Sequence, residues 1–305
     1  MTTQQKSQQG SQTKKRASPQ KKPTQQMFVE EEAEQELQAE QAQKGSVKEQ
    51  VEEASEGLPS GTNFIDLPSR GKLGYPAQVT YRDVLVKDES ALATVTEPTL
   101  NRTLNSTLKS ILNDWEYFEQ MSIHDRDFAL MWVWANNYSP VKTAEVTCPN
   151  GEKEKFEVDL TQVDVIDINT EMPVPFVIPR NEGNDIKVYP TTVQDEIDVE
   201  SYIASLTDAQ KKNANYEQLL MISTIDLGMA VPLSQKVRWA NENLDGKSFG
   251  YVRKYHNYFK FGVKETVEHK CSGCEEVTEV NLPFQITDIL FPEPPDDFER
   301  LLQSQ

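Results

Sequence analysis

The sequence predicts an α+β fold in which helical blocks are joined to short antiparallel hairpins, behind a disordered N-terminal tail. Three observations predict it. Apolar residues recur at spacings of three and four within separate blocks, residues 100–134 and 192–244. Alternating stretches broken by Pro, Asn and Gly gather between and after those blocks, so strands and helices do not alternate singly as a βαβ fold requires. Composition also changes abruptly near residue 60, since the first 60 residues hold only 13 apolar side chains and one aromatic, Phe28.

The tail itself changes sign along its length. Residues 1–26 are rich in Gln, Ser, Thr and Lys, with six positive charges and no acid, whereas residues 27–56 carry ten Glu against Lys44 and Lys48. Too few apolar positions (Val29, Leu37, Val47, Val51) accompany them to hold a helix on a core, so residues 1–60 are read as unstructured.

Order is expected from Phe64, where Ile65-Asp-Leu-Pro-Ser-Arg-Gly and Gly74-Tyr75-Pro76 read as an extended arm with tight turns. Residues 79–86 alternate like a strand. Leu100, Leu104, Leu108, Ile111, Leu112, Trp115 and Phe118 mark an amphipathic helix behind Pro98. Ser122 with Asp125 resembles a capping box, and the nearly all-apolar run 128–134 makes the following helix the buried half of an αα-hairpin. Short strands are expected at 144–147, 155–160, 174–178 and 185–189, then helices at 192–206, 216–229 and 234–244. Residues 251–282 alternate like a hairpin before a Pro-rich exit at 292–295. The segments 61–142, 143–190, 191–246 and 247–305 are expected to form one compact unit behind the tail.

Charge and apolar content exclude several classes. With 31 basic and 49 acidic side chains the formal charge is −18, which excludes a general nucleic-acid coat. No run of about 20 apolar residues exists and residues 1–10 are polar, so neither a membrane span nor a secretory signal is expected. Three cysteines, one isolated and two spaced C-x-x-C, suit a reducing compartment.

Those cysteines lie in an internal repeat. Thr147-Cys-Pro-Asn-Gly leading to Glu-Val-Asp-Leu160 matches Lys270-Cys-Ser-Gly-Cys leading to Glu-Val-Asn-Leu282, with Cys148 on Cys271 and Gly151 on Cys274. Each copy reads as strand, knuckle turn and strand. Two C-x-x-C knuckles supply the four thiolates of a tetrahedral structural zinc, but here the first has one thiol. Three readings stand: one structural zinc on Cys148, Cys271 and Cys274 with His269 as fourth ligand; a metal-free vestige whose hairpins still pack; or a redox C-x-x-C. No H-x-E or H-E-x-x-H pattern lies nearby to make such a metal catalytic.

Other chemical signatures fall short. Gly246-Lys-Ser-Phe-Gly250 matches the end of a P-loop and a nucleophile elbow, but Asn241 stands where the upstream P-loop glycine belongs, and a Gly-bounded turn accounts for the segment. His124, at a helix start, is given a capping or surface role. Residues 251–264 interleave aromatics with positive charge, and Tyr251, Arg253, Lys254, Tyr255, Tyr258 and Lys260 are the candidate partner-binding residues. A hairpin with one aromatic and one basic face would dock on an acidic protein surface; the alternative is a cytoplasmic zinc-ribbon-like adaptor binding nucleic acid through the same residues. The chain's net negative charge makes nucleic acid the less favoured partner.

In their order along the chain, several segments together resemble the base plate protein family of T-even-type contractile-tailed phages, whose members are hub subunits or hub-assembly proteins. The segments are Ile65-Asp-Leu-Pro-Ser-Arg-Gly, Val84-Leu-Val-Lys-Asp-Glu, Ile123-His-Asp-Arg-Asp-Phe-Ala-Leu, the Cys-Pro-Asn-Gly turn leading to Val158-Asp-Leu, and Tyr189-Pro-Thr-Thr-Val-Gln-Asp-Glu. The resemblance covers about residues 64–292. It implies a non-enzymatic component of the virion or of its assembly, made in the host bacterial cytoplasm and contacting other baseplate or hub proteins. The acidity of residues 61–305 leads us to expect basic contact surfaces on those partners.

Overall fold

The computed structural model describes residues 63–96, 99–179 and 185–284. The tail, Pro98, the Asn-Glu-Gly turn after Arg180 and the Pro-rich exit lie outside the described residues. The fold is α+β, as the sequence predicts. By their internal contacts the described residues fall in one unit.

The chain opens with an antiparallel pair, β1 (Asn63–Asp66) and β2 (Gln78–Tyr81), in which Ile65 faces Val79 and both are buried. The strand expected to run on to residue 86 stops at Tyr81. Arg82 instead grips Asp88 with both guanidinium nitrogens (2.7 and 3.0 Å), and Asp88 accepts the Leu85 amide (2.9 Å), which starts helix α1 (Val86–Ala93).

Helix α2 (Leu100–Ile111) buries Leu104, Leu108 and Ile111, the predicted stripe. The helix was expected to reach Phe118 but ends seven residues earlier. Asn113 and Asp114 adopt left-handed φ of 57° and 54°, and the amides of Asn113 and Asp114 donate back to Ser110 and Lys109 (3.3 and 2.9 Å). These are the two bonds of a Schellman stop, with Asn in the left-handed place that usually falls to Gly. The reversal turns Trp115 edge-on to Tyr75 and buries Phe118 in a single 3-10 turn, Phe118–Gln120.

Helix α3 (Ile123–Asn137) is the buried centre, covered by β1–β2, α2 and the antiparallel pair β3 (Val141–Thr147) and β4 (Lys153–Asp159). Short strands follow: β5 (Val165–Ile166), β6 (Phe176–Ile178) and β7 (Ile186–Val188). Helix α4 (Val193–Ser205) starts from a full capping box of Thr192 and Asp195. Its start is tied to that of α3 by a bridge between Ser122 and Thr192. Within this junction Arg126 of α3 chelates Glu196 of α4 (2.5 and 3.2 Å), while Asn105 of α2 accepts from Arg126 (2.9 Å) and donates to Glu196 (3.2 Å). Three helices thus share one buried ionic network whose hydrogen-bonding groups meet one another.

The second half holds α5 (Asp208–Lys211), α6 (Tyr216–Ser223), β8 (Ile225–Asp226), α7 (Leu233–Asn243) and α8 (Gly246–Tyr258). Strand β8 completes a three-stranded sheet in the order β6-β7-β8, and α8 lies against it with Tyr255 stacked on Phe176 at 5.3 Å. β9 (Gly262–Val263) pairs with β5, and the last described hairpin is β10 (Thr266–Lys270) with β11 (Val277–Asn281). Gly262 is required where it stands. Its φ is +100°, and a Cβ there would lie 3.2 Å from the carbonyl oxygen of His124. Among the described residues no helix is long and apolar enough to cross a membrane.

One expectation is overturned here. Residues 251–258 are not half of a hairpin but the body of α8. Asp245 caps it, accepting the amides of Lys247 and Ser248 (2.9 and 2.8 Å), and Val252 and Tyr255 form its buried face, continued by Phe259 beyond its end. The Gly-bounded turn at 246–250 is likewise the first turn of this helix.

Candidate functional site

The two halves of the internal repeat meet in space. In the first hairpin Thr147 faces Lys153 and the Cys148 amide closes the turn on the Glu152 carbonyl (2.8 Å); in the second Lys270 faces Val277 and the Cys271 amide closes on Glu276 (2.9 Å). Just before each closing residue sits a left-handed one, Gly151 (φ 86°) and Glu275 (φ 60°). Hydrogen bonding therefore aligns Gly151 with Glu275 rather than with Cys274. The first knuckle is one residue shorter, and it holds no counterpart of the second thiol.

The knuckles approach closely. A Cβ on Gly273 would come 2.9 Å from the Glu152 carboxylate. Val146, Cys148 and Cys271 form a small buried cluster, with Phe156, Cys274 and Val280 packed on it. The Cys148 and Cys271 sulfurs and a Glu154 oxygen lie within 4.8 Å of one another. Cys148 points its thiol at Glu154 Oε2 (3.7 Å), and the Cys274 amide donates to the Cys271 sulfur (3.4 Å).

Glu154 is the residue that sequence reasoning missed. It faces Val146 on β4, and its carboxylate accepts from the Ser272 amide (3.3 Å), from the Ser272 hydroxyl and from His269 Nε2 (2.8 Å). Those donors, Ser272 first and His269 next, hold it down to about 2. The Cys148 thiol is pushed up to about 12 by its bond to Cys271, by burial and by the Glu154 charge, while Cys271 is drawn down, first by the Cys274 amide. His269, expected as a fourth ligand, is engaged with the Glu154 carboxylate, its ring stacked on Phe156 at 4.3 Å. A one-residue signal existed: Glu154 is the acid at the strand position beside the knuckle, where the second hairpin has Thr278.

The other candidates separate. Tyr251, Arg253, Lys254 and Tyr258 of α8 and Lys260 beyond it are exposed, but Tyr255 is 3% exposed and belongs to the core, so it is withdrawn from the contact face. Arg253 lies over the Phe249 ring at 5.4 Å. The Ser248 hydroxyl donates to its own helix cap, Asp245 (2.9 Å), as a structural serine does. His124 is half-buried against Phe261 (5.0 Å) rather than on the surface, and burial lowers its pKa. His256 lies between Thr191 (3.5 Å) and Thr224 (3.0 Å). Because the Thr224 hydroxyl donates to the Met221 carbonyl, His256 Nε2 is the protonated nitrogen and Nδ1 the acceptor.

Comparison with known proteins gives one family. The model of the family described as T4 bacteriophage base plate protein matches residues 60–229, more than half of the chain. No curated protein and no solved structure matches it.

Proposed function

The chain belongs to the T4 bacteriophage base plate protein family, and from that premise we propose that it serves in the hub of a contractile tail baseplate, as a subunit or as an assembly factor. A structural role in the phage tail baseplate follows from membership. The finer reading is that it works through protein–protein contacts and without catalysis, and is made in the host cytoplasm before joining the virion tail.

The family match over residues 60–229 carries this reading. Two structural features support the contact role. Residues 61–305 have a formal charge of −16, a surface suited to basic partners. Helix α8 also turns Tyr251 (41% exposed) and Tyr258 (74%) outward together with Arg253, and Tyr and Arg are among the residues enriched at protein interfaces.

Deleting the gene and examining the lysate tests the proposal. The expected result is full heads without complete tails, with the wild-type chain co-purifying with hub proteins in a subcomplex that added salt weakens. Normal infectious particles from the deletion would overturn it. So would retention of the chain on single-stranded DNA in place of tail proteins, the behaviour of a nucleic-acid adaptor.

A further inference from the structure

We propose that Cys148, Cys271, Cys274 and Glu154 bind one Zn2+ between the two knuckles, the Glu154 carboxylate standing where the shortened first knuckle lacks a thiolate. The donor set is three sulfurs and one oxygen, and it is drawn from two hairpins far apart in the chain. Structural zinc is held by such tetrahedral, thiolate-rich sets, and carboxylate oxygen is among its ligands.

The distances among three of the four donors, Cys148, Cys271 and Glu154, suit the ion, and Cys274 is the neighbouring thiol that would complete the set. With zinc–sulfur bonds of about 2.3 Å and zinc–oxygen bonds of about 2.0 Å, a tetrahedral site separates sulfur from oxygen by roughly 3.5 Å. Cys148 Sγ and Glu154 Oε2 are 3.7 Å apart, and both lie within 4.8 Å of the Cys271 sulfur. Cys274 packs against this group, on the same turn as Cys271. The Cys274 amide already points at the Cys271 sulfur (3.4 Å), which stabilises a thiolate there. His269 and Ser272 hold the carboxylate from outside, the arrangement by which outer partners orient a metal-binding group. His269 is therefore a positioning residue and not a ligand.

The inference extends the baseplate reading and does not depend on it. The ion would join β3–β4, inside the family match, to β10–β11, which lies beyond its last residue, 229.

The test uses the full chain purified under reducing conditions. Elemental analysis should find one zinc per chain. After exchange, Co2+ should give the intense near-ultraviolet thiolate band and the visible bands of a tetrahedral site. Glu154→Gln should weaken Co2+ binding at least tenfold, and Glu154→Cys should tighten it and move the visible bands to longer wavelength, towards those of four thiolates. His269→Gln should weaken binding while leaving the band positions unchanged. Circular dichroism of the variants, whose changes lie at the edge of the fold, confirms that they are folded. Folded wild-type protein without stoichiometric zinc and without a thiolate–Co2+ band would overturn the proposal. A Glu154→Cys spectrum identical to wild type would remove Glu154 from the ligand set, and band positions altered by His269→Gln would restore His269 to it. None of these outcomes bears on tail assembly, so the two proposals fail separately.

Discussion

At the scale of single residues, Asp125 shows how a correct local signal can point to the wrong partner. Ser122 and Asp125 have the spacing of a capping box, and Ser122 does cap α3, accepting the His124 amide (3.3 Å). The Asp125 carboxylate, however, turns away from the cap and accepts the Ser69 amide (3.0 Å) and the Tyr75 hydroxyl (2.6 Å), while Tyr75 accepts the Ser122 amide (3.1 Å). A phenol carried on the arm between β1 and β2 has taken the place of the box's acid. Burial raises the pKa of Asp125, against the hydrogen bonds that lower it. Tyr75→Phe leaves the Ser122 amide and one carboxylate oxygen without this partner in a buried place. Chemical denaturation should show a loss of about 2–6 kcal/mol, at about 1–3 kcal/mol per unmet group; a loss below about 0.5 kcal/mol would mean that water replaces the phenol. No sequence spacing announces such a contact, because Tyr75 and Asp125 belong to separate elements. The same reason hid Glu154, whose meaning depends on a hairpin made long after it in the chain.

At the scale of elements, α4, with its capping box, and α7 were legible to within a residue of their ends, and the apolar stripe of α2 was legible although its end was not. The knuckle hairpins were legible too, because they repeat. What failed was period assignment where aromatics are dense. In residues 249–261, Phe249, Val252, Tyr255 and Phe259 recur at three and four, yet the alternating Tyr and Lys pattern suggested a strand; the cap at Asp245 decides for the helix. The buried side of α8 carries a titratable consequence. Burial, and secondarily the charge of His124, depress His256 to about 4, whereas an unfolded histidine titrates near 6.5. Below pH ~6.5 the unfolded chain takes up a proton that the folded chain refuses, so stability falls with pH until about 4 and then levels off for this group. The denaturation midpoint of His256→Gln, measured from pH 7 to pH 4, should decline less than that of wild type; parallel curves would show that the imidazole does not carry the effect. Thr191 and Thr224 face the ring with neutral hydroxyls, and among the described residues no carboxylate hydrogen-bonds it to stabilise the charged form.

Across the whole molecule, the low apolar fraction belongs mainly to the first 60 residues, whose own charge is −2, and the acidity belongs to the remainder. The compact part therefore has a normal core, and its excess charge is available to partners and opposes self-association. That core is not completed locally. Val263, Val267, Val280, Leu282 and Phe284 pack on the same apolar cluster as Ile65, Leu108 and Met131, so the last described hairpin closes the first-built part of the fold. A chain ending at residue 264 should bind a hydrophobic dye and melt at least ~5 °C lower, since burying a large apolar side chain contributes about 1.5–3 kcal/mol; an unchanged melting curve without dye binding would show that the hairpin is an appendage. The paired knuckles give this closure a direction in time. On the ribosome, Val146, Cys148 and Phe156 emerge more than a hundred residues ahead of Cys271 and Val280, which cover them. A chain cut before β10 keeps that seam open, so the state of this apolar seam reports whether the second knuckle has been made.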